Sequence, residues 1–132
     1  MRSSAICRDQ QNNFFAFVKG SPEKIKDLCV AQIPSDYDNI LEEYTRNGYR
    51  LIALASKNLK QFEAKMLLSV RREDIESQLT FLGFLVMENR LKPESEEVLK
   101  DLIKCEVNCT MATGDNILTA VSVARQCSIL DE

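Results

Sequence analysis

The sequence predicts an α/β fold in two parts, and three observations carry that reading. Runs dense in apolar, aromatic and β-branched residues at 14–18, 49–55 and 81–87 read as strands. Segments of helical period stand between them, opened by capping residues and closed by glycine. From Phe81 onward the pattern becomes strand, helix, strand, helix, and its first strand lacks alternation, as in a parallel sheet covered on both faces.

Each element has its own warrant. After the strand at 14–18, Ser21-Pro22-Glu23 supplies an N-cap, a proline at the first helical position and an acid in the first turn, with Ile25, Leu28 and Cys29 inward. Pro34 sits in a loop before a second helix that places Tyr37, Ile40, Leu41 and Tyr44 on one face and ends at Gly48. A strand follows over 49–55. Residues 60–79 are weaker, with helices expected near 61–68 and 72–78. Beyond the strand at 81–87, residues 94–105 predict a helix with Val98, Leu99, Leu102 and Ile103 inward and acids in its first turn. A strand is expected over 107–112, then a helix over 116–127 with Ile117, Val121 and Ala124 as its stripe. Two parallel strands buried on both faces cannot stand alone, so the second part is expected to be an incomplete sheet.

Composition excludes several classes. The 132 residues are 45% apolar, enough to build a core, and carry a net charge of −3 with a pI near 5.1. Seventeen basic residues mixed among 20 acidic ones form no basic stripe, which argues against a nucleic-acid surface. The longest apolar stretch, 81–87, is a strand's worth and too short to span a bilayer, and no hydrophobic signal region follows Met1. A soluble chain is expected. Cys7, Cys29, Cys105, Cys109 and Cys127 form no Cys-x-x-Cys pair, and there is no histidine. No metal site is expected from that set, and the thiols are expected to be reduced and mostly buried.

The most informative stretch is Met111-Ala112-Thr113-Gly114-Asp115-Asn116-Ile117-Leu118-Thr119-Ala120. A tight turn opening a helix directs unpaired backbone N–H groups and the helix dipole at one point, which favours an anion, most often phosphate. Gly114 lets the backbone pass close to a ligand, Thr113 adds a hydroxyl, and Asp115 is suited to cap the helix. A capped junction that binds nothing has the same local pattern.

Four motifs in order give the chain a resemblance. Phe17-Val18-Lys19-Gly20-Ser21-Pro22-Glu23 is similar to the Lys-Gly-Ala-Pro-Glu motif of P-type ATPases, with Ser21 where alanine is usual. Gly48-Tyr49-Arg50-Leu51-Ile52-Ala53-Leu54-Ala55 resembles that family's Gly-x-Arg-x-x-Ala-x-Ala strand. The stretch from Phe81 through Met87-Glu88-Asn89-Arg90-Leu91-Lys92-Pro93, and then the Thr-Gly-Asp turn with its helix, resemble the segment after the nucleotide-binding insertion. Met-Glu-Asn-Arg-Leu-Lys in place of Asp-Pro-Pro-Arg is closest to the type V, subgroup B cation and polyamine pumps.

The resemblance implies that residues 1–88 are the later part of a nucleotide-binding domain and 89–132 part of a phosphorylation domain of haloacid-dehalogenase (HAD-like) type, with a hinge near 88–93. It implies ATP as ligand, with Mg2+ in the parent. Lys19 and Gly20 are implied in the adenine pocket, Arg50 at a nucleotide phosphate, Asn89 and Lys92 at the hinge, and Thr113, Gly114 and Asp115 in positioning the phosphoryl group. Taken alone, Arg50 equally suits a strand-end arginine in water or one paired with Glu42 or Glu43. Phe14, Phe15 and Phe17 are expected in the core rather than at adenine.

The nucleophilic Asp-Lys-Thr-Gly-Thr and the magnesium-binding Gly-Asp-Gly-x-Asn-Asp of the family do not occur in this sequence. The expectation is therefore a cytosolic fragment of a pump of late-endosomal or lysosomal type, weakly ATP-binding and inactive alone, whose partner is the rest of that pump. The alternative is a short non-enzymatic interaction protein.

Overall fold

The computed structural model describes residues 2–31, 33–60, 62–88 and 90–130, and Ala31 by its backbone alone. It divides into two units, one of Met1–Tyr37 with Leu51–Leu85 and the other of Asp38–Arg50 with Val86–Glu132.

The first unit is built on a sheet of five strands: β1 (Arg2–Arg8), β2 (Phe14–Gly20), β3 (Cys29–Ala31), β4 (Arg50–Asn58) and β5 (Leu79–Met87), in the order β1-β2-β4-β5-β3. β1 and β2 form an antiparallel hairpin in register from Arg2↔Gly20 to Arg8↔Phe14. Its turn is closed by Asp9, whose Oδ1 accepts from the backbone N–H groups of Gln11 at 2.9 Å and Asn13 at 2.8 Å. Asn12, at φ +65°, supplies the left-handed residue such a turn needs. β2 pairs antiparallel with β4, and β3 parallel with β5.

Strand alternation decides which face is covered. Ala16 and Val18 on β2 and Leu51, Ala53 and Ala55 on β4 point inward. Against them lies α1 (Pro22–Leu28), which supplies Ile25, fully buried, while Leu79, Phe81 and Phe84 of β5 complete the cluster. Tyr37, 2% exposed, sets its ring 5.0 Å from Phe81 and 4.7 Å from Phe84 and donates its hydroxyl to the Pro22 carbonyl at 2.8 Å. A buried tyrosine so placed adds aromatic attraction without stranding its O–H. A second cluster joins Ala16, Leu59 and Ile75 with Phe14 and Phe62 beside two short helices, α3 (Ala64–Leu67) and α4 (Arg72–Ile75).

The second unit holds most of α2 (Tyr37–Arg46), then α5 (Ser95–Lys104) and α6 (Ile117–Gln126). Gly48, at φ +84°, ends the α2 segment, with the Tyr49 N–H bonded to the Tyr44 carbonyl at 3.1 Å. Buried Thr119 on α6 donates its hydroxyl to the Tyr49 carbonyl at 3.1 Å.

Several expectations are corrected. Residues 107–112 form no strand, so the strand–helix–strand–helix unit appears as its two helices and β5 alone. A strand exists only through ladder partners, and β5 takes its place between β4 and β3. β5 is not covered on both faces either, since Leu82, Leu85 and Val86 are exposed. On α5, Val98, Leu102 and Ile103 are exposed, and on α6 Ile117 is 72% exposed, because no element among the described residues lies over those faces. Cys29 opens β3 instead of extending α1, and of the five cysteines only Cys127 is buried. β1, β3 and the brevity of α3 and α4 were not foreseen.

Candidate functional site

Lys19 and Gly20 end β2. Lys19 stands opposite Ser3 of β1 and Leu54 of β4, with an exposed side chain, and Gly20 opposite Arg2 and Ala53. The chain then turns into α1, whose first-turn bond runs from the Ile25 N–H to the Ser21 carbonyl at 3.0 Å; the Ser21 side chain itself makes no capping bond. Phe15, Phe17 and Lys19 share the strand face opposite the core, with the Phe15 and Phe17 rings stacked at 6.4 Å and Phe17 45% exposed. Only Phe14 of the three phenylalanines packs into a core cluster, which corrects the expectation for Phe15 and Phe17.

In the second unit Arg50 meets the Thr113–Asp115 turn. Its Nε lies 3.3 Å from Asp115 Oδ1, an ion pair between a half-exposed guanidinium and a mostly covered carboxylate. The Thr113 hydroxyl donates to Asp115 Oδ2 at 3.2 Å, and the Asp115 N–H donates back to Thr113 Oγ1 at 3.1 Å. Asp115 is therefore not the helix cap. Asn116 is, its Oδ1 accepting from the Leu118 N–H at 2.9 Å. The reason is local: the hydroxyl two residues back and the guanidinium of Arg50 claim both carboxylate oxygens, and the next side chain is equally suited to cap. Arg50's partner is neither Glu42, which pairs with Arg46 at its Nε, 3.0 Å away, nor the solvent alone. At Gly114 an added Cβ would meet nothing within 4 Å, so the turn stands open there.

Of the two hinge residues, Lys92 is exposed and its carbonyl accepts from the Ser95 N–H at 3.0 Å, in the turn that leads into α5. Asn89 lies outside the described residues. A cavity of about 260 Å³ in the second unit is lined by Asn47, Gly48, Tyr49, Glu88, Arg90, Leu91, Val123 and Gln126. Glu88 and Arg90, paired with each other at 3.2 Å, were not singled out from sequence. The signal available was their place on either side of Asn89.

Among the described residues no group of three or more Cys, Asp or Glu side chains is placed to hold a metal ion. Asp115, the acid at the turn, has both oxygens engaged by Arg50 and Thr113, so the residues present do not fit Mg2+. Burial pushes the Cys29 thiol up, and burial followed by the Glu96 charge does the same at Cys127, which favours the protonated form of both. No helix among the described residues is long and apolar enough to cross a membrane.

This mixed α/β architecture, a five-stranded sheet carrying Lys19 and Gly20 at a strand end, agrees with a family model described as P-type ATPase, cytoplasmic domain N, which matches residues 1–94. The chain belongs to that family. It is similar to 13A-type cation and polyamine pumps among others. It is 48% identical over 120 residues to the cation-transporting ATPase catp-5 of Caenorhabditis elegans, covering 90% of this chain and 10% of that protein. It is 42% identical over 120 residues to the human polyamine-transporting ATPase 13A3, covering 87% of this chain and 10% of the relative. With the vacuolar cation-transporting ATPase YPK9 of Saccharomyces cerevisiae the figures are 41% over 131 residues, 98% and 9%. The chain thus spans about a tenth of the length of these relatives.

Proposed function

We propose that this chain is an ATP-binding piece of a P-type pump that couples ATP hydrolysis to transmembrane transport of a cation, with polyamines as the substrate class. In this reading residues 1–88 belong to the nucleotide-binding domain and 89–132 to a HAD-like phosphorylation domain. Lys19 and Gly20 take the base, Arg50 a nucleotide phosphate, and Asn89 and Lys92 the hinge side of the ligand. Thr113, Gly114 and Asp115 position the phosphoryl group through the Thr113 hydroxyl and the backbone amides of the turn, not through the Asp115 carboxylate and not by covalent chemistry. The pump as a whole supplies the nucleophilic aspartate, the Mg2+ ligands and a place in late-endosomal or lysosomal membranes.

The observation that carries the proposal is the ion pair of Arg50 with Asp115, which brings the two motifs assigned to phosphate into one place. The exposed apolar side chains of α5, Val98, Leu102 and Ile103, agree with a chain whose neighbouring elements belong to the rest of a larger protein. The same face favours the second reading, a non-enzymatic interaction protein.

Calorimetric titration of the purified chain with ATP separates the two. The pump reading expects a dissociation constant on the order of 1 mM, because only part of the site is present. Lys19→Ala and Arg50→Ala are each expected to weaken it several-fold. No binding, or binding indifferent to both substitutions, leaves the interaction reading. Incubation with γ-labelled ATP is expected to leave no hydroxylamine-sensitive label on the chain, since a phosphate cradle cannot replace a nucleophile.

A further inference from the structure

We propose that the Asp115 carboxylate is an internal occupant of the anion position at the Thr113–Asp115 turn, resting on Arg50 and Thr113 until an incoming phosphate displaces it. This rests on the reading of Arg50 and Thr113 as phosphate-binding groups.

The geometry gives each carboxylate oxygen one partner, an ion pair at Oδ1 and a hydrogen bond at Oδ2. Oδ1 lies 3.3 Å from Arg50 Nε, and Oδ2 accepts from the Thr113 hydroxyl at 3.2 Å. A guanidinium and a hydroxyl converging on two oxygens of one anion are the donors that two phosphate oxygens take. The Thr113 oxygen also accepts from the Asp115 N–H, which leaves its own proton aimed at the carboxylate.

Two further features keep Asp115 available for this role. Capping of α6 is done by Asn116, so the helix does not need the aspartate's oxygens. The open space at Gly114 leaves room for a ligand to approach the turn while the aspartate side chain swings out. Arg50 is 54% exposed, so the pair is neither sealed nor strong, and an exposed ion pair of this kind is overcome by a ligand that brings more charge. The consequence is a site that neutralises itself when empty and sets a threshold of anionic charge for filling.

The test is titration of the 132-residue chain with inorganic phosphate, followed by NMR at the Arg50 Nε–H and at the backbone amides of 113–116, for wild type, Asp115→Asn and Asp101→Asn. Asp101 pairs with Lys104 on α5, so its substitution makes the same change in net charge away from the turn. Asp115→Asn is expected to bind phosphate about two- to five-fold tighter, the scale on which an exposed ion pair competes. It is also expected to shift the Arg50 Nε–H resonance before any phosphate is added, and its advantage should shrink as salt is raised. Asp101→Asn should change neither reading.

Equal or weaker binding by Asp115→Asn, with Arg50 still responding to phosphate, overturns the displacement and leaves the phosphate site standing. Equal tightening by Asp101→Asn reduces the effect to net charge and overturns it as well. No response of Arg50 in any of the three chains removes the phosphate site and the displacement together.

Discussion

Glu76 reaches across 74 positions of sequence to ion-pair with Arg2, fastening the edge strand β1 to the segment that follows α4. Its side chain is 1% exposed, and its other oxygen accepts from Arg72 Nε at 2.7 Å. Arg72 in turn donates to the Arg2 carbonyl at 2.9 Å, so side chain and backbone of the edge strand are both held. A covered carboxylate is tolerable only because two guanidinium groups surround it.

Removing that charge is expected to cost stability. Glu76→Gln leaves Arg2 and Arg72 partly covered without a counter-charge, and about 1–3 kcal/mol is the expected loss in urea unfolding at neutral pH, less than for a fully buried pair because both arginines keep contact with water. The pH dependence follows from the direction of the shift. Burial raises the Glu76 carboxyl, but hydrogen bonds from Arg2, Arg72 and Ser4 outweigh it and hold the group below its ordinary value of 4.5. A lowered folded value means a contribution fully present above pH 4.5 and lost as pH falls through the folded value. The difference between wild type and Glu76→Gln should therefore narrow on acidification; a gap that widens instead contradicts the network.

Two glycines are expected to differ sharply. Gly48 has φ +84°, and a Cβ there would stand 2.7 Å from Ser122 Oγ, so Gly48→Ala should lower stability by about 1–3 kcal/mol from backbone strain and overlap. Ser122→Ala in that background should recover only the overlap. Gly114→Ala meets open space and should leave the melting temperature within a few degrees of wild type. A costly Gly114→Ala would show that the turn is packed more tightly than found.

The helix cap gives a clean comparison. Asn116→Ala is expected to destabilise α6 by about 1 kcal/mol, the usual loss for an N-cap side chain. Asp115→Ala should not match it, because Asp115 makes no bond to the helix backbone. Equal losses by thermal melting would return the capping role to Asp115.

Hydrogen exchange should separate the sheet from residues 108–112. Amides at 108–112 have no ladder partner among the described residues and should exchange nearly as in an open chain, whereas those of Val18, Ala53 and Ala55 should be the slowest. Slow exchange at 108–112 in a monomer would mean that they pair in solution.

The strands β2, β4 and β5 and the helices α1, α2, α5 and α6 were legible because each carries its own periodicity or cap. β1 was not, since Arg2-Ser3-Ser4-Ala5 is polar and owes its strand to the hairpin with β2. Three-residue β3 holds too few side chains to show a period. Residues 107–112 failed the other way, with a strand's composition and no neighbour among the described residues to pair with. At the site, Lys19, Arg50 and the Thr-Gly-Asp turn were readable as motifs. The partner of Arg50 was not, because Asp115 lies 65 positions away and only folding joins them. The exchange of roles between Asp115 and Asn116 was equally hidden, as both residues cap helices well.

We propose that this chain binds a nucleotide, with Lys19 and Gly20 in the first unit and Arg50 in the second as the residues that respond to it. The most direct test is residue-resolved NMR of the labelled chain titrated with ATP. The amides of Lys19, Gly20 and Arg50 are expected to shift as ATP is added, while those of Cys105 and Cys109 on the far side of α5 in sequence stay nearly still. Shifts of equal size at all five, or none at the first three, would contradict the account.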